Sequence, residues 1–141
     1  MATMNVEILT PEAALWTGTA SALMARSSEG EFTVLPEHTA TVGDVVPYVV
    51  RVQTTDEGEI AFAVHSGFFQ VGKGLEPDTT LATVLASVAE RTTEIDVPRA
   101  QAAKEAVEAR LASAKGENDN EELLAYAALQ RAELRLSAAS K

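Results

Sequence analysis

Arg131 and Arg135 stand four residues apart, and Asp96 and Arg99 three apart, so each pair shares one face if its segment is helical. Guanidinium groups that converge offer planar forks of donors, a chemistry suited to a polyphosphate. A closed antiparallel hairpin would set Arg131 and Arg135 opposite Asp96, Arg99 and Glu90. By spacing alone the plainer reading is favoured: surface ion pairs worth about 0–1 kcal/mol each, because charged helix faces are common. Other reactive patterns are weaker. His38 and His65 are the only histidines, and Ser66 follows His65, but no G-x-S-x-G elbow surrounds that serine. With no cysteine and two isolated histidines, the chain lacks metal-ligand spacing, and no metal site is expected. Gly72-Lys73-Gly74 lacks the strand–loop–helix setting of a phosphate loop and reads as a hairpin turn. No residue is assigned a catalytic role.

The elements that would position these side chains change character near Ala89. Before it, short apolar alternations are broken by turn signals. Met4 to Leu9, Leu15 to Thr17, Thr19 to Arg26, Phe32 to Leu35, Thr39 to Val46, Tyr48 to Thr54, Ile60 to Val64, Phe68 to Val71 and Thr80 to Leu85 read as strands. Asp56-Glu57-Gly58 is a hairpin signal between two of them. Six of the seven aromatics and seven of the eight glycines fall in this block, which predicts a β-sandwich or flattened barrel over residues 1–88.

Residues 89–141 follow a helical period. Asp96 is a fitting N-cap, and Pro98 falls in the first turn, where its missing N–H costs nothing. Ala100, Ala103, Val107, Leu111 and Ala114 mark one seam; Leu123, Ala127, Gln130 and Leu134 mark a second. Gly116 is placed to cap the first helix, and Asp119 with Glu122 resembles a capping box. The expected fold class is α+β, a β-sandwich followed by an antiparallel two-helix hairpin. Small side chains along both seams bury little area, so the hairpin is expected to be marginally held.

The net charge of −10 is uneven. Residues 1–88 carry three basic side chains (Arg26, Arg51, Lys73) against eleven acidic ones, whereas residues 89–141 carry eight against ten. An acidic body repels phosphate backbones, which argues against nucleic acid as a partner. No apolar run reaches the roughly 20 residues that span a bilayer, and no secretory signal is visible, so any membrane association is expected to be indirect.

Three segments in order carry a family resemblance. Ser28-Glu29-Gly30-Glu31-Phe32-Thr33-Val34-Leu35-Pro36-Glu37-His38, Val64-His65-Ser66-Gly67-Phe68-Phe69-Gln70-Val71 and Ile95-Asp96-Val97-Pro98-Arg99-Ala100 resemble motifs of the epsilon subunit of bacterial F-type ATP synthase. The resemblance implies a non-catalytic part of the proton-translocating complex, on the cytoplasmic face of the bacterial plasma membrane. Its partners would be the gamma subunit, the ring of c subunits and the alpha/beta catalytic head, with membrane contact only through the c-ring. The helices would fold against the body or extend into the head and block ATP hydrolysis. Glu31 and His38 fall at the gamma and c-ring contacts of the family. Glu90, Asp96, Arg99, Arg131 and Arg135 match the positions that hold regulatory ATP in some members; no cofactor is required. Ala106 stands where those members have a further arginine, with Arg110 one turn on. Phe68 stands where the second glycine of the S-G-G strand is expected. From the residues alone, a free-standing β-sandwich adaptor whose hairpin binds another helical partner stays open.

Overall fold

Met4, Val6 and Ile8 alternate inward along β1 (Met4–Leu9), the simplest period-two pattern in the chain. The computed structural model describes residues 3–74, 76, 78–114 and 119–139, with the side chains of 113–122 outside that description. Six further strands follow: β2 (Ala14–Ser27), β3 (Gly30–Val34), β4 (Thr41–Val45), β5 (Tyr48–Thr54), β6 (Glu59–Lys73) and β7 (Thr80–Arg91). A 3-10 turn at Thr92–Glu94 leads to α1 (Val97–Ala114) and α2 (Asp119–Ala139). The described residues divide into two units, Met1–Arg91 and Thr92–Lys141.

In the first unit, pairing runs β1-β7-β6-β5-β2, and β2 pairs again with β1, so the strands close a ring. β3 extends it beside β2, and β4 beside β6. β1 and β7 are parallel; every other pair is antiparallel. Closure satisfies backbone groups that an open edge would leave unpaired. The core inside includes Ile8, Leu23, Val34, Val50, Phe62, Val64 and Val84, with the Phe32 and Phe69 rings 4.4 Å apart.

Seven strands are present among the described residues, where turn signals predicted more. Gly18 lies inside β2 and Gly67 inside β6. At Gly67 the ladder shifts register rather than ending. Inward residues change from Ile60, Phe62 and Val64 to Phe69 and Val71 across that bulge, so one strand bends around the corner of the sandwich. A Cβ on Gly67 would lie 2.8 Å from Ala86 Cα and closer still to the Leu85 carbonyl oxygen. His65, expected at a strand end, lies mid-strand and is only 6% exposed. The glycine-rich turn begins later than predicted: Gly72 and Lys73 finish β6, and the Gly74 amide reaches the Thr79 carbonyl (2.9 Å). Leu75 and Pro77, which follow, lie outside the described residues.

β7 continues through Arg91. Glu90 and Arg91 therefore sit in a strand, paired with Ala63 and Phe62 of β6, and not in the helical segment expected over residues 89–141. A ladder partner on β6 outweighs local helical propensity here.

In the second unit, Asp96 caps α1 as expected: its Oδ1 accepts the Arg99 amide at 3.1 Å, and its carbonyl accepts that of Ala100 at 3.0 Å. α2 packs on α1 and on the 3-10 turn, which gives an antiparallel hairpin. Gly116 lies outside the described residues, as do the side chains of Asp119 and Glu122. Ala100 and Val107 are buried on α1, but Ala103 is exposed. The α2 seam is shifted: Ala125, Ala132 and Ala138 are buried, whereas Leu123 is 67% exposed and Gln130 lies outward. The expected row would bury the Gln130 amide; the alanine row carries no polar side-chain atom. No helix among the described residues is long and apolar enough to cross a membrane.

Candidate functional site

The residues singled out from sequence fall into two groups, one in each unit. In the helical unit, Asp96 and Arg99 are joined through the cap bond, and both side chains are exposed. Asp96 thus already serves the α1 N-terminus with one carboxylate oxygen. Arg131 is exposed and Arg135 half-buried; their four-residue spacing on α2 keeps them on one face. Glu90 belongs to β7 of the other unit. The guanidinium groups of Arg99, Arg131 and Arg135 could serve as donors to a polyanion. Ala106, the position matched to a further arginine, lies on α1 and is exposed, as is Arg110 one turn on.

In the sandwich, Glu31 is exposed on β3, and Arg26 is its cross-strand partner on β2. Tyr48, the first residue of β5, donates its hydroxyl to Glu31 Oε1. Arg26 lies 5.7 Å from the centre of the Tyr48 ring, within cation–π reach. The bond to Glu31, followed by burial and the Glu31 charge, raises the Tyr48 hydroxyl above its ordinary pKa, while Arg26 and Arg51 pull the other way. This arrangement holds a carboxylate at the exposed surface of β3.

His38 is exposed beyond a turn closed by its amide and the Leu35 carbonyl (3.1 Å). Its Nδ1 is 2.7 Å from the Thr39 carbonyl oxygen. A carbonyl only accepts, so Nδ1 carries the proton and, in the neutral ring, Nε2 is the acceptor. Glu37 has φ 70°, and its amide donates to Thr80 Oγ1 at 2.8 Å. A cleft of about 570 Å³ opens between this loop and the β6–β7 connection, lined by His38, Lys73, Glu76 and Thr80 among others. Glu31 and His38 therefore occupy separate environments of the same unit: the structure gives Glu31 to the Tyr48 cluster and His38 to this cleft.

The hydrolytic arrangement considered for His65 and Ser66 does not assemble. His65 is buried, whereas Ser66 is exposed, and its Oγ lies 2.9 Å from Ser87 Oγ. Among the described residues, no group of three histidine, aspartate or glutamate side chains could hold a metal ion.

A cluster unanticipated from sequence joins Trp16, Glu57 and Arg91. Trp16 Nε1 donates to Glu57 Oε2 (3.0 Å), and Arg91 Nη2 donates to Glu57 Oε1 (3.1 Å). These residues are 41 and 34 positions apart from Glu57, and no local pattern links them. The two donors, Trp16 first, lower the Glu57 carboxyl below its ordinary pKa.

Comparison with known proteins covers both units in order. Residues 3–92 match the family described as ATP synthase, Delta/Epsilon chain, beta-sandwich domain. Residues 93–140 match ATP synthase, Delta/Epsilon chain, long alpha-helix domain. The ATP synthase epsilon chain of Laribacter hongkongensis is 38% identical over 139 residues, which cover 98% of this chain and 94% of that one. That of Moorella thermoacetica is 37% identical over 139 residues, covering 99% and 98%. The Brevibacillus brevis protein of the same name is 37% identical over 119 residues, covering 84% and 86%. A chain in a Euglena gracilis mitochondrial ATP synthase structure (OSCP/F1/c-ring) superposes with a TM-score of 0.79 at 22% identity, over 100% of this chain and 83% of its own. One from the central stalk/c-ring structure of Tetrahymena thermophila gives 0.60 at 15% identity, over 96% of both chains. At such identities the structural likeness speaks for the fold.

Proposed function

This chain belongs to the ATP synthase epsilon chains, within the delta/epsilon family, and from that premise we propose that it is a rotor part of the central stalk whose helical hairpin restrains ATP hydrolysis. The observation that carries the reading is the ordered match of both units, sandwich and hairpin, along nearly the whole chain. The sandwich docks on gamma and rests on the c-ring, which couples proton flow to ATP synthesis and places the chain at the cytoplasmic face of the membrane without crossing it. Glu31, oriented by Tyr48, and His38 are the contact residues of that docking.

The hairpin acts as the switch. A switch needs two states separated by a few kcal/mol. Among the described residues, the side chains buried in the hairpin are alanines and one valine, so little apolar area opposes opening. Leu123, Leu124 and Tyr126 lie exposed on α2, an apolar surface for a helical partner when the hairpin extends. ATP, as regulator and not as required cofactor, is held by Glu90, Asp96, Arg99, Arg131 and Arg135. A ligand that binds only the closed state shifts the balance by its differential affinity.

The test is hydrolysis by the assembled catalytic head, with full-length chain and with a chain ending near Ala89. Truncation should raise hydrolysis while co-purification with gamma persists. Failure to bind gamma would overturn the reading. Binding of another helical partner with no effect on hydrolysis would favour an adaptor.

A further inference from the structure

β7 is unevenly supported. Its parallel pairing with β1 ends at Leu85, so residues 86–91 have a ladder neighbour only on β6. The last of them, Arg91, is also the last residue of the sandwich unit. Its guanidinium reaches Glu57 in the β5–β6 turn, and the other oxygen of that carboxylate holds the Trp16 indole of β2. The turn itself is fixed: the Glu57 amide donates to Thr54 Oγ1 (2.8 Å), and Gly58 adopts the left-handed φ of 71° that this bend requires. Two strands, β2 and β7, and the β5–β6 turn thus meet at one carboxylate, at the point where support from β1 has run out. On the other side of the boundary, Thr92–Glu94 forms the 3-10 turn against which α2 packs, and the Ile95 amide closes it on the Thr92 carbonyl (3.4 Å).

We infer that the Trp16–Glu57–Arg91 cluster is a clasp that confines the pivot of the helical unit to the link between Arg91 and Thr92. Arg91 is tied to the sandwich and Thr92 to the hairpin, so motion between the units is taken up at that link. Release of the clasp frees the one-sided end of β7 and lengthens the tether by several residues. This consequence rests on the proposal that the hairpin acts as a switch; the clasp itself does not.

Trypsin reads the clasp directly, because it cuts after Arg91. Full-length chain, without partners or nucleotide, is compared with Glu57→Ala and Trp16→Phe. In Glu57→Ala, cleavage at the Arg91–Thr92 bond should rise roughly two- to fivefold relative to cleavage after Arg110, the range set by loss of an exposed ion pair. Trp16→Phe should raise it less, since the Arg91 bond survives. Trp16 is the only tryptophan, so its emission should change in Glu57→Ala. Raising the salt on the unmutated chain should move the cleavage ratio in the same direction. An unchanged ratio in Glu57→Ala would overturn the clasp. So would an equal rise after Arg51 inside β5, which would mark general unfolding. Neither result depends on whether truncation alters ATP hydrolysis.

Discussion

Tyr48 gives its hydroxyl hydrogen to the carboxylate of Glu31, linking the first residue of β5 to the exposed face of β3. The bond has a measurable signature. With its pKa raised from 10.0, Tyr48 keeps its proton to higher pH in the folded chain than in the unfolded one. The stability it contributes is fully present below the unfolded pKa and is lost as pH rises through the folded value. Thermal midpoints followed from about pH 8 to about pH 11 should fall less for Tyr48→Phe than for the unmutated chain. Coincident declines would refute this.

Glu57 predicts the opposite limb. Its two donors lower its pKa from 4.5. Stability from this group is therefore present above that value and is lost as pH falls through the lowered one. Glu57→Gln should flatten this part of the acid decline, read by Trp16 emission during acid titration. A decline as steep as the original would reject the assignment.

Gly67→Ala should be severely destabilising, because the added methyl meets the backbone of Leu85 and Ala86 rather than a yielding side chain. A loss of about 3 kcal/mol is expected from overpacking at a fixed backbone. Urea unfolding measures it, and a change below about 0.5 kcal/mol, the range of a neutral surface substitution, would contradict the steric account.

Nucleotide binding is tested by titration calorimetry on the whole chain. Arg99→Ala or Arg131→Ala should weaken ATP binding by at least about 1 kcal/mol, as loss of a charge-assisted bond does. Absence of heat with the unmutated chain up to millimolar ATP would remove the proposal. Ala106→Arg, which adds a guanidinium donor on α1, should strengthen binding.

The arginine group is legible as residue types and spacings, and Glu31 and His38 are singled out by the family resemblance alone, whereas the surroundings of both groups are not legible. Asp96 was readable as a cap because its target amide is three residues away, and the Asp56-Glu57-Gly58 turn because its geometry is local. The α2 seam was misread since leucine spacing ranks hydrophobicity, whereas the buried row, Ala125 and Ala132, avoids a glutamine. Gly18 and Gly67 read as breaks, but neighbouring strands carry the ladder past them. The grip of Tyr48 on Glu31 and of Trp16 on Glu57 joins positions 17 and 41 apart, pairings that only the closed sheet creates.

The parallel contact of β1 with β7 also dictates an order of events during synthesis. Asn5 leaves the ribosome well before Leu81 and must wait for it before its second neighbour exists. The barrel therefore cannot close until almost the whole sandwich has been translated, and until then β1 has only β2 to shield it. Such distant partners slow the search for the native arrangement, whereas a hairpin of adjacent helices forms from contacts near in sequence. Newly made chains are expected to be most vulnerable to aggregation during that wait, before the helical segment has emerged.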